Sequence, residues 1–175
     1  FRLRTEGKTY EQISHQGGGI KSSIDSVRNA SFEQLLNESL PRIELFLKKG
    51  TTTIEAKSGY GLTLEDEIKS LEVIKELNNQ SDLDIVPTFM GAHDFPPEYS
   101  SNKDAYVDLI CNDMIPEVAS KKLALFCDVF CEEGYFSVNQ SEKILRAGLD
   151  YGLIPRLHAD EFVDSGAASL AADIK

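Results

Sequence analysis

Basic residues are in short supply in this 175-residue chain: Lys and Arg total 18 against 29 Asp and Glu, a formal charge of −11 with a pI near 4.7. No basic cluster is longer than two residues, so the dense Lys/Arg face that displaces counterions from a polyphosphate is missing and a nucleic-acid partner is excluded. No apolar run approaches the ~20 residues that span a bilayer, which excludes a membrane helix. Cysteine is scarce as well. Cys111, Cys127 and Cys131 are too few and too irregularly spaced for a secreted disulfide framework, and a reduced, cytoplasmic setting is expected. Cys127 and Cys131 lie four apart in an apolar run with no second Cys/His pair beside them, and they read as core thiols rather than metal or redox ligands. Four Asn-x-Ser sequons, at Asn29, Asn37, Asn79 and Asn139, carry no weight without a secretory signal. That lack of a signal is itself weak evidence, because the chain starts Phe-Arg-Leu-Arg without an initiator Met.

What is present is globular composition, 41% hydrophobic and 27% charged, in a length that suits one domain with a sizeable core. Apolar runs rich in β-branched or aromatic residues at Thr52 to Ala56, Ile85 to Met90, Leu123 to Cys131 and Leu153 to Leu157 predict strands. Helical periodicity separates them. It predicts helices over Phe32 to Lys49, Thr63 to Asn78, Ala105 to Lys122, Asn139 to Tyr151 and Ser165 to Lys175, the second capped by Thr63 with Asp66 and Glu67 in its first turn. Alternation of nearly continuous apolar strands with amphipathic helices is the pattern of a parallel α/β sheet. A doubly wound sheet and a barrel both fit. An eight-stranded barrel takes ~250 residues, and four units make half of one.

Each predicted strand breaks at its C-terminal end into ionisable or hydroxylated residues. The first leads to Lys57, Ser58 and Tyr60, the second to His93 and Asp94, the third to Glu132 and Glu133, and the fourth to His158, Asp160 and Glu161. Parallel strands place all these ends on one rim, where ligands bind in open sheets and barrels alike. Two of the three histidines sit there. A neutral imidazole suits a divalent metal, and a nearby carboxylate that is not a ligand can take a proton from metal-bound water and return it to a leaving group. His158 with Glu161 three residues on fits that division of labour, and His93 converges from another strand end. A hydrogen-bonded core histidine is the competing reading. His15 reads as solvated. Gly17-Gly18-Gly19 lacks P-loop spacing and reads as a turn rather than a phosphate loop. Asp128, in phase with Phe126 and Phe130, is either a site residue reaching inward or a buried hydrogen-bonding carboxylate; the second is preferred.

These rim motifs resemble those of imidazolonepropionase, a metal-dependent amidohydrolase of histidine degradation. The likeness runs through the GGGI turn followed by Arg28, GTTTIEAKSGYGL at Gly50 to Leu62, VPTFMGAHDFPPEY at Val86 to Tyr99, FCDVFCEEGYFS at Phe126 to Ser137, and LHADEF at Leu157 to Phe162. KSGYGL, GAH-x-x-P and LHADEF in combination carry the specificity; Asp94-Phe95 departs slightly from the small residues usual after that His. The resemblance implies a (β/α)8 TIM barrel of the amidohydrolase type, with this chain covering roughly strands 2 to 5. It also implies one zinc or iron ion with His158 as a ligand, Glu161 as the residue that hydrogen-bonds the ring and shuttles protons, and Tyr60 and His93 holding the substrate, 4-imidazolone-5-propanoate. The remaining ligands in that family are a His-x-His on the first strand and an Asp on the last. Those, a substrate-binding Arg and a further catalytic His are expected outside Phe1 to Lys175. A homodimer is left open. Two other readings stay beside this one: a cyclic-amidine deaminase or similar amidohydrolase, and a non-catalytic barrel fragment serving as a binding module.

Overall fold

The computed structural model describes residues 5–7 and 20–174. The Gly17 to Gly19 turn and His15 lie outside that range. Among the described residues, seven α-helices and four strands follow in chain order: α1 Ile20–Asn29, α2 Phe32–Lys48, β1 Thr53–Lys57, α3 Leu64–Gln80, β2 Asp84–Ala92, α4 Lys103–Leu109, α5 Ile115–Ser120, β3 Phe126–Cys131, α6 Val138–Asp150, β4 Ile154–Ala159 and α7 Ala167–Asp173. A π turn, Ile110–Met114, joins α4 to α5.

Helix starts follow local chemistry. Ser31 and Ser137 each close a capping box with the Gln three residues later, and the Thr63 hydroxyl accepts the Asp66 N–H at 3.1 Å, as its place before an acidic first turn predicts. The single helix expected over Ala105 to Lys122 is instead two α segments around the π turn. Pro116 supplies the reason, since it has no N–H for the i−4 carbonyl and its ring crowds that turn, so the backbone widens ahead of it. Helix α1 is not foreseen by periodicity. It buries Ile24, and polar ties hold it to α3: the Lys69 ammonium donates to the Val27 carbonyl at 2.9 Å.

All three strand pairings are parallel, and the order in the sheet is β1-β2-β3-β4. A doubly wound sheet reverses its strand order at a switch point. Within these four strands no reversal occurs, and each new strand is added on the same side of the last.

Register then divides the side chains into two faces, because period-2 alternation sends neighbours to opposite sides. Ile85, Phe89, Cys127 and Val129 lie in one apolar cluster with Ile68, Leu71 and Ile74 of α3 and Ile144 and Leu145 of α6. Cys127 and Cys131 are buried free thiols, as expected. The opposite face carries Glu55, Lys57, Thr88, Asp128, Arg156 and His158, with Phe126 and Phe130 between them. A single sheet with one oily and one charged face positions everything that follows.

Candidate active site

The charged face is wired across strands. The Lys57 ammonium bridges Glu55 on its own strand and Asp128 on β3, while Arg156 on β4 pairs with Glu55 and lies 3.5 Å from the Phe126 ring centroid. The Thr88 hydroxyl donates to Glu55 at 2.6 Å. Asp128, 1% exposed, thus receives Lys57 on Oδ2, and its Oδ1 accepts from His158 Nδ1 at 3.1 Å. Burial alone would raise the Asp128 carboxyl; the bonds from His158 and Lys57 outweigh it and hold the group below the usual carboxylate range. The same hydrogen bond raises His158 above the ordinary imidazole value, against the opposing effect of burial. In the neutral ring the proton sits on Nδ1, facing the carboxylate, and Nε2 keeps its lone pair.

The neighbouring loop is built around a buried acid. Glu67 at the start of α3 is wholly buried and accepts N–H bonds from Gly59, Gly61 and Leu62 at 2.7, 3.2 and 2.9 Å. Burial pushes its carboxyl up, and those donors, joined by the Ser58 hydroxyl, pull it back. The Ser58 Oγ in turn accepts the Met90 N–H at 3.0 Å, locking the loop to β2. Gly59 has φ +99°, and a Cβ there would sit 2.5 Å from the Met90 carbonyl oxygen, so only glycine fits. Arg28 closes the loop from outside through its Nε bond to the Gly61 carbonyl at 2.7 Å and its pair with Glu98, also 2.7 Å.

This frame aims Tyr60 and His93 at each other. The Gly59 carbonyl accepts from His93 Nδ1 at 2.8 Å, which again leaves Nε2 as the unprotonated nitrogen; burial depresses His93 below the ordinary imidazole value. Tyr60 is exposed, and its ring stands perpendicular to that of His93 with centroids 5.0 Å apart. Phe130 lies between the two histidines, edge-on to His93 at 6.3 Å and to His158 at 5.9 Å. Three residues singled out from sequence, Tyr60, His93 and His158, are therefore linked in one run of ring contacts, Tyr60 to His93 to Phe130 to His158. Glu161 lies in the exposed loop directly after β4, and its charge contributes to the raised value of His158.

Asp128 is a hydrogen-bonding carboxylate, as preferred from sequence, and its bonds run to the site. Sequence put Glu132 on the rim and Glu67 in a helix first turn, but gave neither a specific role. An acid inside an apolar strand is the visible signal for Asp128, whereas Glu67 looks like any first-turn helix acid.

Among the described residues no group of three or more His, Cys, Asp or Glu is arranged to hold a metal ion. The donor chemistry of His158 nevertheless fits one ligand position, since a carboxylate-held imidazole with a free Nε2 is the usual form of a metal-binding histidine. Nor is any helix among them long and apolar enough to cross a membrane.

Sheet order and rim chemistry define the class first: a parallel α/β protein whose candidate site is assembled at the carboxyl ends of its strands. No model of a known protein family matches the chain. Individual proteins do. It is 53% identical over 174 residues to the imidazolonepropionase of Brevibacillus brevis, 51% over 172 residues to that of Shouchella clausii, and 49% over 174 residues to that of Geobacillus thermodenitrificans. These matches cover 98–99% of this chain and 38–41% of the relatives' own length. The resemblance to imidazolonepropionase read from the rim motifs is thus shown over essentially the whole chain.

Proposed function

We propose that the protein carrying this segment hydrolyses the ring of 4-imidazolone-5-propanoate to N-formimino-L-glutamate. The observation that carries the proposal is the continuous run of ring contacts from Tyr60 through His93 and Phe130 to His158, in a chain 99% of which matches an imidazolonepropionase. The sheet is read as an arc of a (β/α)8 amidohydrolase barrel, strands two to five, with the charged face turned inward. Unreversed strand order supports that reading.

His158 is the residue of this chain that would hold a zinc or iron ion through Nε2, with ligands contributed from outside the segment. When bound, such an ion supplies Lewis acidity and brings the pKa of a bound water toward ~7. Everything else falls to side chains. His93 offers Nε2 to the substrate ring, Tyr60 closes over it, and Phe130 supplies an apolar floor from which water is excluded. Glu161 accepts a proton from the attacking water and returns it to the ring nitrogen as its bond to the ring carbonyl carbon breaks, so that the nitrogen leaves as the neutral NH of the formimino group. Buried thiols on the helix side suit a reduced, cytoplasmic setting.

The test is Glu161→Gln in the metal-loaded protein. Turnover of imidazolone propanoate should fall by about a hundredfold to ten-thousandfold, leaving a measurable residual rate, while metal content, measured by elemental analysis, stays at the wild-type level. Near-wild-type turnover, or loss of metal together with activity, overturns the role given to Glu161.

A further inference from the structure

The residue assigned to proton transfer lies in a loop without regular structure, yet its neighbours on both sides are pinned. Before it, Asp160 takes a left-handed φ of +54°. The Asp160 carboxylate accepts the N–H groups of Ser165, Ala167 and Ala168 at 2.9, 3.1 and 3.0 Å, which ties this side of the loop to the start of α7. After it, the Phe162 N–H donates to Glu132 Oε2 at 2.8 Å. The Phe162 ring is half exposed (50%) and meets Phe130 edge-on with centroids 6.2 Å apart.

Glu132 is unusual for the last position before a turn. It is 2% exposed, and its other oxygen accepts the Glu133 N–H at 2.8 Å. Its backbone is fixed as well: its N–H donates to the Phe136 carbonyl at 3.2 Å, and its carbonyl accepts the Tyr135 N–H at 3.0 Å. The carboxylate is therefore a rigid post at the end of β3 that reaches across to the loop after β4. A buried carboxylate costs desolvation energy and persists where its hydrogen bonds matter. Here one of its two bonds fixes the backbone one residue beyond Glu161, and Asp160 fixes the backbone one residue before.

We propose that Glu132 is a positioning residue for Glu161: through the Phe162 N–H it holds the loop so that the Glu161 carboxylate is presented beside His158. This inference rests on the proton-transfer reading of Glu161. A proton-transfer group needs hydrogen-bond reach in the reacting geometry, and displacement by ~1 Å can cost about a hundredfold in rate.

The experiment compares Glu132→Ala, Glu132→Gln, Glu161→Gln and the Glu132→Ala/Glu161→Gln double variant of the metal-loaded protein. Glu132→Ala should lower kcat by about tenfold to a hundredfold, with KM changed far less and metal content unchanged. Glu132→Gln keeps one acceptor oxygen and should recover part of that loss. Because Glu132 acts through Glu161, adding Glu132→Ala to Glu161→Gln should lower the rate no further. Wild-type kcat in folded Glu132→Ala, losses that multiply in the double variant, or a fall in metal content that tracks the fall in rate each overturn the positioning role. If Glu161→Gln itself turns over normally, the proton-transfer reading fails instead, and the two failures are distinguishable.

Discussion

Asp128 Oδ1 lies 3.1 Å from His158 Nδ1, across two strands whose register pairs Asp128 with Arg156 and Phe130 with His158. The contact is diagonal, one pleat along the shared face. It fixes both the orientation and the tautomer of the imidazole, and Lys57 on the far oxygen balances the charge that burial would otherwise penalise. Asp128→Ala should therefore weaken metal binding by about 10- to 100-fold in the protein carrying this segment, read by competition with a chelator. Asp128→Asn keeps an acceptor oxygen and should lose less.

Glu67 holds the loop that bears Tyr60. Replacing it by Gln swaps one acceptor oxygen for an NH2 group facing backbone N–H donors, and at least one of the Gly59, Gly61 and Leu62 bonds is lost inside a site sealed from water. A cost of about 2 kcal/mol in unfolding free energy is expected, measured by urea denaturation. An unchanged midpoint would mean that the loop holds itself.

The Arg28–Glu98 pair gives a pH signature. Burial works to raise Glu98, but the Arg28 hydrogen bond, a backbone hydrogen bond and the Arg28 charge together outweigh it, and the folded value lies below that of a free Glu. A group depressed on folding binds more protons when unfolded, so its stabilisation is present above the ordinary Glu pKa of about 4.3 and is lost as pH falls through the folded value. Glu98→Gln should lower stability by a small constant amount at pH 7 and above, where the exposed pair is intact, and converge on the wild type as pH falls below the folded value, so that the acid limb of the curve is flatter. Thermal melts from pH 3 to pH 8 read both limbs.

Cys127 is wholly buried against the helices, and burial drives its thiol far above the ordinary cysteine value. Since the thiolate is the reactive form, a maleimide or Ellman-type reagent at pH 8 should leave Cys127 unmodified in the native protein and label it only after denaturant is added. Rapid native labelling would contradict the placement of β3 against α6.

Much of this arrangement is legible in sequence, for stated reasons. The four strands announce themselves as short runs such as IVPTFM and ALFCDVFC because a sheet packed by helices needs apolar residues, and their observed bounds differ from expectation by up to three residues. Tyr60, His93 and His158 stand out because polar residues that follow apolar strands gather on one rim. Other features are silent. Glu67 looks like any first-turn helix acid and Glu132 only like one more rim carboxylate, since nothing local says that their carboxylates will be sealed beneath neighbouring backbone. The break between α4 and α5 follows from Pro116, but the width of the turn is a packing outcome.

Sequence alone determined the alternation of strand and helix, the rim on which the chemistry-bearing residues stand, and the resemblance to imidazolonepropionase, because period, capping and motif are properties of neighbours along the chain. Tertiary structure alone decided that the strands add in one direction, that Asp128 serves His158 while Lys57 balances it, and that Glu132 reaches the loop of Glu161. Those relations join residues 30 to 71 positions apart. They depend on strand register and on which carboxylates lose their water, and neither is written in any local stretch of the chain.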